Sequence, residues 1–492
     1  MKIKLSIILS TALAIGFAGC GDDYKWDHNN VSKLEGTYTL DKIATYDNDA
    51  NVSWYNAETR GLIVEEKVKK FINTQKLAAG ISISVKYHDD GSALYNTKTP
   101  NGLNEETFES KYLNEYNYAF GCAELNTSHP KVMLGELSFP LEAGMCLQDL
   151  TPTHKFKVGS LTKTAVSRTI LDMDDNNAEY PDFNINDDIT KHLPSNIIAL
   201  GGLGGITIYQ LLHHTSGLGD INTSSDGSVV EKIKEALSKE RVVQPGQMYK
   251  YNNTGYILLG QIIEKVAKDK NASATWQSEV KKRVDEAIGS NNSFVFPKTA
   301  DNYPKNANGT YNYNAWLYDT TEANLTSRDN YSLAKGNGTS FLIDETPFSA
   351  ADKAHSAGSA IANVMDVTKW MESIATNDNT VDANASKVGL LSPEYFEKHL
   401  NAINTSTYVD IYLGNTQWNL GAGIGYDKDQ NSLFHLGNFS GYACHSVYSK
   451  NEKVTLTVCV NGNADLNKLP YEILEAIYPY RTKFLPTVTT TH

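Results

Sequence analysis

"FKVGSLTKTAVSRTI", residues 156–170, holds the choice between a catalytic serine and an ordinary helix start. An apolar stretch ends at Gly159, a Ser-x-x-Lys follows, and an amphipathic segment continues from it. Spacing alone decides nothing, because Ser-x-x-Lys also begins at Ser128, Ser278 and Ser332. Ser160 differs from these in opening an expected helix over 161–174. Unpaired backbone N–H groups at a helix start favour developing negative charge. Residues i and i+3 share a helical face, so Lys163 can reach the Ser160 oxygen. A serine hydroxyl is a poor nucleophile until a base takes its proton. Lysine is such a base only when neutral, which requires burial or nearby positive charge.

Two further stretches bear on the question. "PGQMYKYNNTGYILLGQIIE" (245–264) sets Tyr251 and Asn253 just before a helix, and "HLGNFSGY" (435–442) sets the chain's one His-x-Gly on an expected strand. Each alone has a plain reading: a turn in an Asn/Tyr-rich chain, and a structural histidine on a strand. Their order behind Ser160 changes that. The chain resembles the serine β-lactamase and penicillin-binding-protein superfamily, in its class C β-lactamase-like branch, which carries Ser-x-x-Lys, Tyr-x-Asn and Lys/His-x-Gly in this sequence order. The blocks "FKVGSLTKT", "ITIYQLLHHTSGL", "PGQMYKYNNTGYILLG", "AGSAIANVMDVTKWM" and "HLGNFSGY" extend the likeness over roughly residues 60–480.

The resemblance implies that Ser160 is acylated by a carbonyl substrate while Lys163 and Tyr251 move protons, either of the two serving as base. It implies that Asn253 holds the lysine and a substrate carbonyl, and that His435 and Gly437 line the opposite wall. The backbone N–H groups of Ser160 and Asn438 would form the oxyanion hole. No metal or organic cofactor is implied. His435 stands where many β-lactamases and D,D-peptidases have lysine, and a histidine there is largely neutral at pH 7. The expected activity is therefore hydrolysis of an ester or amide, peptidase- or esterase-like, on a D-amino-acid peptide or small ester. A β-lactamase or D,D-carboxypeptidase is the alternative, and a peptide- or peptidoglycan-binding protein without turnover a further one. A carbohydrate-binding surface using Trp316 and Tyr318 is a minor third.

The rest of the chain frames this core. It has 492 residues, of which 40% are apolar, enough for a sizeable interior. The net charge of −13 and the lack of a long Lys/Arg run argue against nucleic acid as a partner. "MKIK", then the 14-residue apolar run "LSIILSTALAIGFA", then "GC" resembles a bacterial lipoprotein signal, with Cys20 lipidated; the "GDD" after it resembles a Bacteroidetes surface-export signal. Residues 1–19 are thus an expected signal peptide, 20–55 a polar tether with a small strand at "GTYTLDKI", and 56–485 the hydrolase domain. An exported lipoprotein of the cell envelope, held to the membrane by its N-terminal lipid, is the expected localisation, on either the periplasmic or the surface face.

Fold class is expected to be α+β. "GISISVKY" (80–87) alternates as a half-buried strand, with "YNYAFGCAEL" as its partner, and four strand-like segments return between 421 and 461. Helical patterns fill the middle, so an antiparallel sheet is expected from both chain ends (about 56–160 and 350–485), with helices on it and an inserted, mainly helical region (about 160–350). Residues 285–350 read as long loops partly covering a cleft, 357–374 as a helix and 469–480 as a closing helix. A two-residue turn at Asn451-Glu452 would set Cys444 opposite Cys459, joined as a disulfide or left as two buried thiols. His213-His214 lacks partners within a helical turn and reads as structural, not as a zinc site.

Overall fold

The computed structural model describes residues 57–477 except for 76–79, 88–114, 134–140, 297–315, 320–340, 345–350, 378–390, 397–408 and a few shorter loop stretches. The expected signal peptide, Cys20, the tether and its small strand lie outside the described residues. Thirteen strands are described: β1 Gly80–Tyr87, β2 Glu115–Leu125, β3 Cys146–Asp149, β4 Phe156–Lys157, β5 Trp316–Asp319, β6 Phe341–Asp344, β7 Ile361–Ala362, β8 Val409–Leu413, β9 Thr416–Leu420, β10 Gly425–Asp427, β11 Ser432–Phe439, β12 Tyr442–Ser449 and β13 Val454–Val460. The helices used below are α1 Ala57–Gln75, α2 Thr162–Asp175, α3 Ile208–Leu212, α4 Val229–Ser238, α5 Asn253–Lys268, α6 Trp276–Ile288, α7 Val364–Thr376 and α8 Leu469–Ile477.

Nine strands form one antiparallel sheet in the order β3-β2-β1-β13-β12-β11-β10-β9-β8. The first strand lies beside the last, with Ile81 opposite Val460 and Val85 opposite Leu456. This is the α+β fold expected: a sheet from both chain ends, with the helices α2 to α6 inserted between them. Residues with period 2 sort onto two faces. Ile81, Ile83, Val85, Phe120, Val447, Leu456 and Val458 meet α1 and α8 through Val64, Val68, Ile72, Ile473 and Leu474. The other face carries Tyr442, Cys444, Tyr448 and Cys459 into the larger core shared with α2, α5 and α7.

β1 is not half-buried. Ser82 and Ser84 are as inaccessible as the isoleucines between them, because β1 is central and α7 packs over its second face, where Glu372 pairs with Lys86. The helix expected over 357–374 begins only at Val364, capped by the Asn363 side chain accepting from the Asp366 N–H. The segment before it pairs as β7 with β4, Phe156 opposite Ala362, beside the start of α2. Nor are residues 285–350 loop throughout: α6 runs to Ile288, and β5 pairs with β6, Trp316 opposite Asp344.

The register expected for the last hairpin is present, Ala443 opposite Val460, Cys444 opposite Cys459 and Val447 opposite Leu456. The two cysteines are joined, and so are Cys122 and Cys146, which tie β2 to β3. Their sequence separations are 15 and 24 residues. Cross-links of that span stabilise by about 3 kcal/mol each, by restricting the unfolded chain. Urea unfolding of a Cys444→Ala/Cys459→Ala double variant is expected to show a loss of about that size, and an unchanged midpoint would show the bond to be energetically idle.

Candidate active site

Ser160 sits in a 3₁₀ turn, Gly159–Leu161, that leads directly into α2. The turn is held against β11. Gly159 has φ +52°, and a Cβ there would lie 2.6 Å from the Asn438 carbonyl oxygen. Gly437 is required from the other side, since its Cβ would fall 1.8 Å from the Val158 carbonyl oxygen. Only glycine permits this approach at both positions. The backbone on either side of Ser160 is thereby brought against that of Gly437 and Asn438.

Lys163 is completely buried one turn into α2. Its Nζ lies 3.0 Å from Ser160 Oγ, 2.9 Å from Asn253 Oδ1 and 2.6 Å from the Ala357 carbonyl oxygen. Tyr251, just before α5, donates its hydroxyl to Ser160 Oγ at 2.7 Å. The proton inventory is informative. A neutral amine has two N–H donors for the two carbonyl-type oxygens and one lone pair left to accept the serine proton. Burial pushes Lys163 down to about 7, against the pull of Asp220. Burial pushes the Tyr251 phenol up above its ordinary range; the hydrogen bond to Ser160 opposes this, while Tyr249, Tyr256 and Asp220 reinforce it. That holds although 37% of Tyr251 is accessible, because the exposed part is not a measure of how densely protein surrounds the phenol. The two groups are driven apart, which is how one site acquires a base and a neutral hydrogen-bond donor.

His435 lies on β11 and is mostly buried. Its Nδ1 is 2.6 Å from the Leu436 carbonyl oxygen, so Nδ1 carries the proton and Nε2 the lone pair. Burial, then Lys163, pushes its pKa down to about 3. It is a neutral imidazole at physiological pH.

The catalytic and substrate-binding residues expected from the sequence are brought together here: Ser160, Lys163, Tyr251 and Asn253 by direct hydrogen bonds, Gly437 and Asn438 by backbone approach, His435 on the same strand. Two neighbours join them. The sequence reads His214 as structural and not as a zinc ligand; its ring stacks on Tyr251 at 4.4 Å between centroids, and its Nδ1 accepts from the Asn252 N–H. Asp220 accepts from Asn253 through both its backbone N–H and its side-chain amide. Both belong to "HHTSGLGD", a stretch whose first part was already one of the matching blocks, but nothing local ties it to Tyr251 or Asn253.

If the neutral amine is the reactive form, activity follows its deprotonation. The rate of Ser160 acylation is expected to rise with pH through a midpoint near 7 and to hold a plateau until well above pH 9, about where an ordinary tyrosine would begin to ionise. A limb centred near 10 instead would show that Lys163 is not the base.

A sheet built from both chain ends, with a helical insertion and a Ser–Lys–Tyr cluster at their junction, defines a serine hydrolase of the β-lactamase and transpeptidase class. The chain belongs to the Beta-lactamase family, whose model matches residues 141–476, more than half of its length. Among curated relatives, Protein flp of Staphylococcus aureus (strain MRSA252) is 36% identical over 126 residues, 24% of this chain and 24% of that protein. The match thus spans about a quarter of that relative's length. Among solved structures, the D-amino acid amidase of Ochrobactrum anthropi SV3 superposes with a TM-score of 0.59 at 15% identity, covering 86% of this chain and 100% of that one. The octameric penicillin-binding protein homologue of Pyrococcus abyssi gives 0.56 at 18% identity, covering 85% and 77%. Family and neighbours together support serine hydrolase activity in general.

Proposed function

We propose that the protein cleaves an ester or amide bond through an acyl-enzyme on Ser160, with a D-amino-acid peptide or small ester as substrate class. The observation that carries this is the Ser160 hydroxyl held between a buried amine at 3.0 Å and a phenol at 2.7 Å. Lys163 takes the serine proton as Oγ attacks the carbonyl carbon. The oxyanion is received by the N–H groups of Ser160 and Asn438. The ammonium then returns its proton to the leaving group, directly or through Tyr251, and water, deprotonated by the same base, releases the acyl group. Asn253 positions the lysine and a substrate amide, and His435 and Gly437 form the facing wall.

The neutral His435 favours this over a β-lactamase or D,D-carboxypeptidase, whose substrates bring a carboxylate that a fixed positive charge at this position would engage. The Ochrobactrum anthropi neighbour is a D-amino acid amidase, an activity of the favoured kind. Export as a lipoprotein through Cys20 belongs to the same proposal, and the two disulfides suit an oxidising compartment.

Intact-protein mass spectrometry tests the reading. The chain is incubated with a fluorophosphonate and, separately, with a penicillin, each against Ser160→Ala. A fluorophosphonate adduct that depends on Ser160 is the expected result, with little or no penicillin retained. A long-lived penicillin adduct would favour a penicillin-binding protein, and no adduct from either probe would leave a binding protein on a hydrolase scaffold.

A further inference from the structure

The hydrogen bonds around Asn253 run past the residues that handle the substrate. An amide side chain can present its oxygen or its NH₂ to a neighbour, and only the oxygen suits an amine donor. Asn253 turns Oδ1 to Lys163 at 2.9 Å because its Nδ2 is taken by Asp220 Oδ2 at 3.1 Å. The other Asp220 oxygen accepts from the Asn253 N–H at 2.7 Å and the Thr254 N–H at 3.3 Å, two of the donors left unpaired at the start of α5. With the Ile221 N–H also donating to it at 3.0 Å, the Asp220 carboxylate is fixed by four donors and stands directly behind the Lys163–Asn253 contact.

We propose that Asp220 is a positioning residue of the Ser160 site: it locks the Asn253 amide with its oxygen toward Lys163 and places a fixed negative charge behind it, so that it sets the pH at which the serine becomes reactive. This rests on the acyl-enzyme reading above.

The other groups facing Lys163 do not supply such a charge. His214 on the α3 side and His435 on β11 are both held neutral by burial. The rings of Tyr251 and Tyr256 lie 4.9 and 5.4 Å from Nζ, and burial pushes both phenols up. Asp220 favours the charged amine, against a larger opposing effect of burial. Without it, a lysine buried among neutral groups would lose its proton at lower pH. The site would gain activity in acid, its onset shifted to lower pH.

The test measures the rate of fluorophosphonate labelling of the full chain from about pH 5 to pH 10. Wild type is compared with Asp220→Asn, which keeps one acceptor oxygen for the α5 N–H groups but removes the charge and turns an NH₂ toward Asn253 Nδ2, and with Asp220→Glu, which keeps the charge. The acidic midpoint is expected to fall by about half a pH unit or more in Asp220→Asn, together with a lower plateau from the loosened Asn253 amide, and both are expected to return toward wild type in Asp220→Glu. If Asp220→Asn does not fold, Asp220→Ser, whose hydroxyl can still accept from the α5 donors, replaces it. A uniform loss at every pH with an unmoved midpoint overturns the inference and leaves Asp220 as a helix cap. Absence of labelling in wild type itself overturns the acyl-enzyme reading, so the two failures are told apart.

Discussion

Ser160→Ala is expected to abolish the fluorophosphonate adduct and to lower hydrolysis of any accepted ester or amide by on the order of 10⁴-fold or more. The size follows from what remains. Substrate could still bind between β11 and the Tyr251 loop, and the backbone N–H groups would still polarise its carbonyl, but no atom of the site could form the acyl bond. The other Ser-x-x-Lys serines are no substitute. Ser278 caps α6 from an exposed position, with its hydroxyl engaged by Thr275. Ser128 stands in an exposed turn, and Ser332 lies outside the described residues. An adduct that persisted in Ser160→Ala would place the reactive group elsewhere and sink the proposed mechanism. The structural cost of the change is small, since it removes one partly accessible hydroxyl.

Lys163→Met is the second large effect. Methionine fills a similar volume in a site with no access to water but has no lone pair basic enough to take the serine proton. Loss of a positioned base lowers kcat/KM by about 10³-fold. The variant separates the two candidate bases. Were Tyr251 to act as phenolate, removing the lysine would still leave a base with an alkaline onset, and labelling would recover as the pH rose. With Lys163 as the base, labelling stays depressed at every pH. Two oxygens, Asn253 Oδ1 and that of Ala357, lose their donor in this variant, so a modest fall in melting temperature is expected alongside. That fall is independent of pH in the activity assay and does not mimic the loss of the base.

The parts of this site that could be read in the sequence share one property: their chemistry is carried within a few residues. Ser160 and Lys163 are one helical turn apart, Tyr251 and Asn253 are two positions apart, and His435 to Asn438 lie on one strand. The last hairpin was readable for the same reason, since a short turn centred on Asn451-Glu452, four residues long in the structure, fixes every pair from Ser449–Val454 to Ala443–Val460. What escaped was set by distant chain. Ser82 and Ser84 look solvent-facing beside their isoleucine neighbours until α7, nearly three hundred residues later, covers them. The 357–362 segment has helical composition, yet Ala357 ends a 3₁₀ turn with its carbonyl on Lys163, and β4 draws Ile361 and Ala362 into a strand. His214 and Asp220 carry no signature of their own. Their importance comes from the start of α5 being laid over them, an event no local pattern records. Likewise Cys122 and Cys146 are separated by a stretch whose connection only the β2–β3 pairing explains.

The placement of the first strand next to the last has a consequence for how the molecule comes into being. A ribosome delivers α2, with Ser160 and Lys163 on it, long before β11. At that moment β1 has only β2 beside it, and its other edge waits for β13. Contacts of such sequence separation form late and slowly. Until they do, Gly159 has no strand to rest on, and the serine has no wall to receive an oxyanion. The complete lining of the Ser160 site is thus the last trait a nascent chain acquires. A product cut short between residues 163 and 432 would hold Ser160 and Lys163 without the strand that Gly159 rests on.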